Sequence, residues 1–302
     1  MIKNTILVSI GLPVYNSENK NLDEVIKSIL EQTYSNFELI ISDNNSKDAT
    51  YDIINKYKKI DNRIFYYKQN ENINGMANFF FVLKNSKGKY FCWASDDDVY
   101  SNNFIEKNFI FLEKNSDYIA SVSPSRFENY KMNLKDMGDQ TIDHKNPIKR
   151  SLQFLNKPHS GARFKSLYRK DLLIASNIFD ENEFPGADSL IIFKALLNGK
   201  MKKITEGSII IGKKGISSNL RSIMKYMKIS YLDLPFFYNI YIKKVFLHLK
   251  KENIRVNTIY ICYIFFIMIK LNIHFFYINV VKSNIYNLIK KYKTQKQIKN
   301  DN

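Results

Sequence analysis

Residues 90–98 read Tyr90-Phe91-Cys92-Trp93-Ala94-Ser95-Asp96-Asp97-Asp98, an apolar run of strand character that stops abruptly in three consecutive carboxylates. At ~6 Å separation and an effective dielectric near 20, each like-charged pair repels by about 3 kcal/mol. A fold that gathers them at a strand end needs a compensating cation, and a divalent metal bound to a phosphate-bearing substrate is the leading candidate. A solvated turn that caps the helix predicted after it would also account for acidic residues here.

Upstream, apolar runs and helical periodicities alternate. Strand-like stretches at 6–13, 37–42 and 64–67 are separated by helical patterns at 22–30 and 49–60, and a further helix at 76–83 leads into 90–94. This alternation predicts βαβ units: an α/β fold with a mainly parallel central sheet and helices on both faces. Ligands bind such sheets outside the carboxyl ends of the strands. Three polar clusters fall at those ends: Pro13-Val14-Tyr15-Asn16, Asp43-Asn44-Asn45-Ser46 and Asp96-Asp97-Asp98. Downstream, the pattern predicts a helix at 103–112, a strand at 119–123, a polar surface excursion at 126–150 and a strand at 163–168. Pro185-Gly186-Ala187-Asp188 opens a helix that stops at Asn198-Gly199.

Together these motifs resemble an inverting glycosyltransferase of family 2, with the Rossmann-like GT-A fold. The resemblance is carried by Ser9-Ile10-Gly11-Leu12-Pro13-Val14-Tyr15-Asn16, by the stretch from Ser28 to Tyr34, and by Asp43-Asn44-Asn45-Ser46-Lys47-Asp48-Ala49-Thr50. Gly88-Lys89-Tyr90, the acidic string and Ala187-Asp188 complete it, over roughly residues 5–215. It implies that Pro13, Tyr15 and Asn16 touch the nucleotide and that Asp43 bonds the base, usually uracil. Asp97 would hold a manganese or magnesium ion that bridges the diphosphate, with Asp98 as a second ligand and Asp96 toward the nucleotide. Asp188 would be the base that takes the acceptor's proton. Three positions depart from the family pattern. Ser95 replaces the first aspartate of the metal motif, Ala187 replaces a glutamate, and Gly212-Lys213-Lys214-Gly215 stands where an arginine and a histidine are expected. Lys213 and Lys214 are therefore expected to contact the diphosphate.

Plainer roles were weighed for the same residues. Asp188 would serve as a helix cap and Asp43 as a cap for the next helix. Asp180, Glu181 and Glu183 read as a solvated loop, and His144, His248 and His274 have no zinc-ligand spacing. Cys92 and Cys262 lie far apart in apolar surroundings, which excludes a disulfide framework and fits a reducing compartment. The run at 6–12 is short, is broken by Gly11 and lacks a cleavage site, so it reads as a first strand rather than a signal peptide.

The net charge of +17 is uneven. Residues 201–302 hold 19 Lys+Arg against 4 Asp+Glu, and residues 1–200 hold 27 against 25. A basic region appended to a nearly neutral domain argues against a general nucleic-acid binder and for an anionic membrane surface. Residues 1–216 are accordingly expected to be the catalytic domain, with a nucleotide half at 1–100 and an acceptor half at 101–216. Residues 217–302 would form a basic, aromatic helical region. The apolar run at 259–269 is ~16 Å of helix before Lys270, short of a bilayer's ~20 residues, so the reading favours helices lying peripherally on the cytoplasmic face. The partners expected are a nucleotide sugar, of the UDP-linked kind, and a lipid-linked oligosaccharide or cell-surface glycan acceptor. The rivals are a sugar-phosphate nucleotidyltransferase, which a glycine-rich, arginine-containing loop after the first strand would favour, and a non-catalytic membrane-associated scaffold.

Overall fold

A computed structural model describes residues 7–127, 140–156, 161–180, 182–212, 214, 220–254 and 256–277. The chain forms two compact units, Met1–Ser218 and Asn219–Asn302.

In the first unit the expected alternation is present. The elements in chain order are β1 (Val8–Val14), α1 (Leu22–Leu30), β2 (Phe37–Asp43), α2 (Thr50–Lys58), β3 (Ile64–Lys68), α3 (Gly75–Lys84) and β4 (Tyr90–Trp93). They are followed by β5 (Val99–Tyr100), α4 (Phe104–Lys114), β6 (Tyr118–Val122), β7 (Ser125–Phe127), α5 (Pro147–Asn156), β8 (Leu167–Arg169), α6 (Lys170–Ala175), α7 (Ala187–Asn198), β9 (Lys200–Lys203) and β10 (Ile209–Ile211). The main sheet has the order β3-β2-β1-β4-β8-β6-β9, parallel except for β8, which runs antiparallel to both neighbours. All residues of β1 and β2 are buried, as expected of strands covered on both faces. A small sheet of order β5-β10-β7 lies apart from it.

The strand order reverses between β1 and β4, the switch point at which such sheets open a crevice. Pro13 helps to open it. The β1–β2 ladder runs on to Val14 and Asp43, whereas the β1–β4 ladder ends at Gly11 and Trp93, and Pro13 has no N–H with which to continue it.

The structure departs from the sequence pattern at 163–168. There the chain curls into a 3-10 turn, Gly161–Lys165, and only Leu167–Arg169 pairs as a strand. The Ser166 and Tyr168 hydroxyls both donate to the Arg163 carbonyl, which holds the curl. Within the predicted surface excursion, Ile142 bridges Met201 and α5 begins at Pro147, while 128–139 lie outside the described residues.

The second unit contains α8 (Leu220–Met227), a 3-10 turn at Tyr231–Phe236, α9 (Asn239–Lys251) and α10 (Thr258–Phe276). Asn272 ties α10 to the start of α9 by accepting the Tyr238 N–H at 2.8 Å and donating to Asn239 at 2.9 Å. Phe237 stacks on Phe275 at 3.8 Å. The helix does not stop at Lys270, because lysine is a good helix former. Its 19 residues are long and apolar enough to cross a membrane by length and composition.

Candidate active site

Three strand ends meet at the crevice, and their loops are laced together by hydrogen bonds. After β1, Tyr15 and Asn16 are exposed, while Pro13 is buried within the strand. Asn16 takes a left-handed backbone, φ 46°, which an asparagine tolerates better than most residues. Its N–H donates to Ser46 Oγ at 2.9 Å, and its side-chain oxygen accepts the Lys47 N–H at 2.9 Å. Ser17 is the junction of the site. Its N–H donates to Thr50 Oγ1 at 2.7 Å, and its hydroxyl donates to Asp96 Oδ2. Loops after β1, β2 and β4 therefore share one network.

Asp43 is fully buried at the end of β2. Its Oδ1 accepts the Ser46 N–H at 2.8 Å and its Oδ2 accepts the Tyr66 hydroxyl at 2.9 Å. Burial and the neighbouring Asp43 charge push the Tyr66 hydroxyl far above the usual phenol range, so it stays a donor. Each oxygen of Asp43 thus has a protein partner. Asn78, another residue of interest at this edge, is buried and exchanges hydrogen bonds with Ser42.

The three carboxylates after β4 occupy different surroundings. Asp96 accepts the Lys20 ammonium at 3.0 Å as well as the Ser17 hydroxyl. Asp98 is fully buried; its Oδ1 accepts the Gly212 N–H at 3.0 Å and its Oδ2 faces the Lys165 ammonium. Asp97 accepts the Lys214 main-chain N–H at 3.1 Å. Desolvation, with Asp98 and Asp96 adding like charge, holds the Asp97 carboxyl above the usual carboxylate range against the opposing pull of Lys165. Gly212 is required for this approach, since a Cβ there would lie 2.1 Å from the Asp97 carbonyl oxygen.

Among the described residues no group of three or more His, Cys, Asp or Glu side chains could hold an ion by itself. Asp97 nevertheless suits a hard cation. It is a carboxylate set beside Asp96 and Asp98 and bonded through its side chain to the Lys214 main-chain N–H, and magnesium commonly takes one or two carboxylates plus substrate phosphates. The Lys214 ammonium donates to Asn21 at 3.0 Å, and Lys213 lies outside the described residues.

Asp188 lies in the first turn of α7, half-buried, with Oδ1 accepting the Ser189 N–H at 2.8 Å. The helix cap position itself is Gly186, at φ 89°, and Asp188 serves the helix start by accepting a first-turn N–H. The Asp188 charge reaches the buried Tyr168 hydroxyl on β8, beside β4 in the main sheet.

Several site residues carried no signal in the sequence reading. Lys20, Ser17, Tyr66 and Lys165 were not among the expected site residues. Glu183 read as part of a solvated loop; instead it accepts the N–H groups of Gly75 and Met76 at the start of α3, which fastens the segment before α7.

Residues 9–175 match the family model described as Glycosyl transferase family 2, more than half of the chain. The chain belongs to that family. It is 42% identical over 116 residues to a glycosyltransferase of Rickettsia typhi, covering 38% of this chain and 35% of the relative. It is 38% identical over 109 residues to WfaP of Escherichia coli, a UDP-Glc:alpha-D-GlcNAc-diphosphoundecaprenol beta-1,3-glucosyltransferase, covering 35% and 41%. The chain thus spans less than half the length of these curated relatives. Among solved structures, S. aureus TarS 1-349 in complex with UDP-GlcNAc superposes with a TM-score of 0.62 at 19% identity, over 80% of this chain and 66% of that one. The mannosyltransferase PcManGT of Pyrobaculum calidifontis, in complex with GDP-Man and Mn2+, gives 0.52 at 13% identity over 70% and 58%. Both share the fold, and the second holds a divalent metal.

Proposed function

We propose that the chain transfers a sugar, with inversion, from a UDP-linked donor to a hydroxyl of a lipid-linked oligosaccharide or surface glycan, at a cytoplasmic membrane face. The observation that carries this reading is the joining of the β1, β2 and β4 ends into one network around Ser17, Asp96 and Thr50, with Asp97 left to face a cation. Tyr15 and Asn16 take the nucleoside from the exposed rim, and Asp43, held by Ser46 and Tyr66, forms the floor beneath the base. Asp97 would hold the metal, which when bound supplies Lewis-acid stabilisation to the departing diphosphate. Lys214 and Lys213 are placed by sequence near the same charge. Asp188 accepts the proton of the acceptor hydroxyl as that oxygen attacks the anomeric carbon, so no covalent enzyme intermediate forms.

The lipid-linked acceptor is supported by the likeness to WfaP, whose acceptor is a diphosphoundecaprenol-linked sugar. Membrane association is supported by the exposed apolar side chains of α10, among them Ile259, Phe265, Phe266, Ile269 and Ile273, and by the charge excess beyond residue 200. Lys282, Lys290, Lys291 and Lys293 belong to that charge excess and lie outside the described residues.

The test is a donor screen. The chain is incubated with manganese and a panel of nucleotide sugars, with and without a lipid extract, and the released nucleoside diphosphate is measured. Release from a UDP-sugar that rises with lipid extract supports the reading. No release from any donor, or release that persists unchanged in Asp97→Ala, removes it.

A further inference from the structure

The carboxylates of Asp96, Asp97 and Asp98 are alike in sequence and unlike in surroundings. Asp98 has no exposed surface, and its partner Lys165, from the 3-10 turn Gly161–Lys165, is only 8% exposed. The second oxygen of Asp98 is taken by the Gly212 N–H. A cation could reach Asp98 only by displacing the buried Lys165 ammonium, and removing one partner of a buried pair leaves the other charge uncompensated. At the rim, Asp96 is neutralised by Lys20. Among the described residues Asp97 has no side-chain ion-pair partner, and its recorded hydrogen bond is the Lys214 main-chain N–H.

We propose that Lys165 is a positioning residue: by pairing with Asp98 it withdraws that carboxylate from the metal and leaves Asp97 as the one protein carboxylate that grips the cation of a nucleoside diphosphate. This rests on the nucleotide-sugar reading and names the ligand set within it. The pair does more than hide a charge. Asp98 joins the turn after β4 to the end of β10 through Gly212 and to the 161–165 turn through Lys165. Gly212 in turn packs directly on Asp97. Lys20 pairs with Asp96 and Lys165 with Asp98, which leaves the Asp97 side chain to receive a cation. Affinity of such sites rises with the number of charged ligands, so this one gains most of its grip from the substrate's phosphates.

The test measures Mn2+ binding to the full chain in the presence of UDP, by the paramagnetic resonance signal of free Mn2+ and by calorimetry. Asp98→Asn is expected to bind Mn2+ within about twofold of wild type, and Asp97→Asn at least about tenfold more weakly. Lys165→Met is expected to bind Mn2+ about threefold more tightly, because the released Asp98 becomes a second ligand. A merely loosened site would lose affinity instead. In thermal melts each single variant lowers Tm, and Asp98→Asn with Lys165→Met recovers most of the loss, as coupled partners do. If a single variant fails to fold, the double variant carries the Mn2+ measurement and is expected to match wild type. Loss of Mn2+ binding in Asp98→Asn as severe as in Asp97→Asn overturns the assignment, and so do additive losses of Tm. Wild type that binds neither UDP nor Mn2+ sinks the donor reading instead, and the melts still decide whether Lys165 and Asp98 act as a pair.

Discussion

The strand ends of the first unit and helix α10 of the second expose opposite kinds of surface. At the strand ends Asp43, Asn44, Ser46 and Asp98 are buried and held by protein partners, from the Ser46 N–H on Asp43 to Lys165 on Asp98. On α10, large apolar side chains stand in the open: Ile259 is 75% exposed, Phe266 61% and Ile273 64%. Satisfied polar networks hold a fixed geometry, which is what a small charged ligand requires. An apolar face of this size needs a second apolar phase, and a partner or a membrane supplies one. One region is built to recognise and the other to be located.

The largest expected effect breaks the first region without touching the second. Asp97→Ala should lower turnover by on the order of 10³-fold, read as released UDP, with vesicle binding unchanged. Asp188→Asn should lower kcat by about 10²–10⁴-fold with little change in UDP affinity, measured by steady-state kinetics beside calorimetry. Equal loss of UDP binding would make that residue part of the donor site. Gly212→Ala sharpens the point about geometry. Its Cβ collides with main chain, so a stability loss of about 1–3 kcal/mol is expected together with weaker Mn2+ binding.

The second region is broken by polar substitution. Phe265→Ser with Phe266→Ser should weaken partition into anionic vesicles by at least about 10²-fold in a sedimentation assay, since each phenyl ring contributes roughly 1.5–3 kcal/mol when buried. UDP release from a soluble acceptor should not change. The smallest effect uses the two cysteines. Cys92 is buried in β4 and its thiol is pushed up to about 12 by desolvation, so at pH 8 it stays protonated and inert to maleimide. Cys262 is exposed on α10 and should label, and anionic vesicles should slow that labelling.

Much of the first region was legible in the sequence because short apolar runs end where the polar residues begin. That rule placed Asn16, Asp43 and Asp97 at one edge of the sheet before any coordinate was known. It could not reveal their partners. Lys20 lies 76 residues from Asp96, and Glu183 lies 108 from Gly75, and no local pattern marks a lysine or glutamate for a pairing at that distance. The same blindness made residues 163–168 read as a strand. Apolar and basic residues alternate there, yet the turn is set by hydroxyl groups at 166 and 168 that fold back on the Arg163 carbonyl. On α10 the sequence shows a helical pattern running through Lys270, but the apolar run is cut short there, whereas a helix carries a lysine on its exposed side and the apolar stretch continues past it.

The central claim is tested most directly by titrating UDP into the chain in the presence of Mn2+. The account predicts saturable binding in wild type, weakened at least about tenfold by Asp97→Asn and untouched by Phe265→Ser with Phe266→Ser. Wild type that takes up no UDP, or an Asp97→Asn variant that binds it equally well, would contradict it.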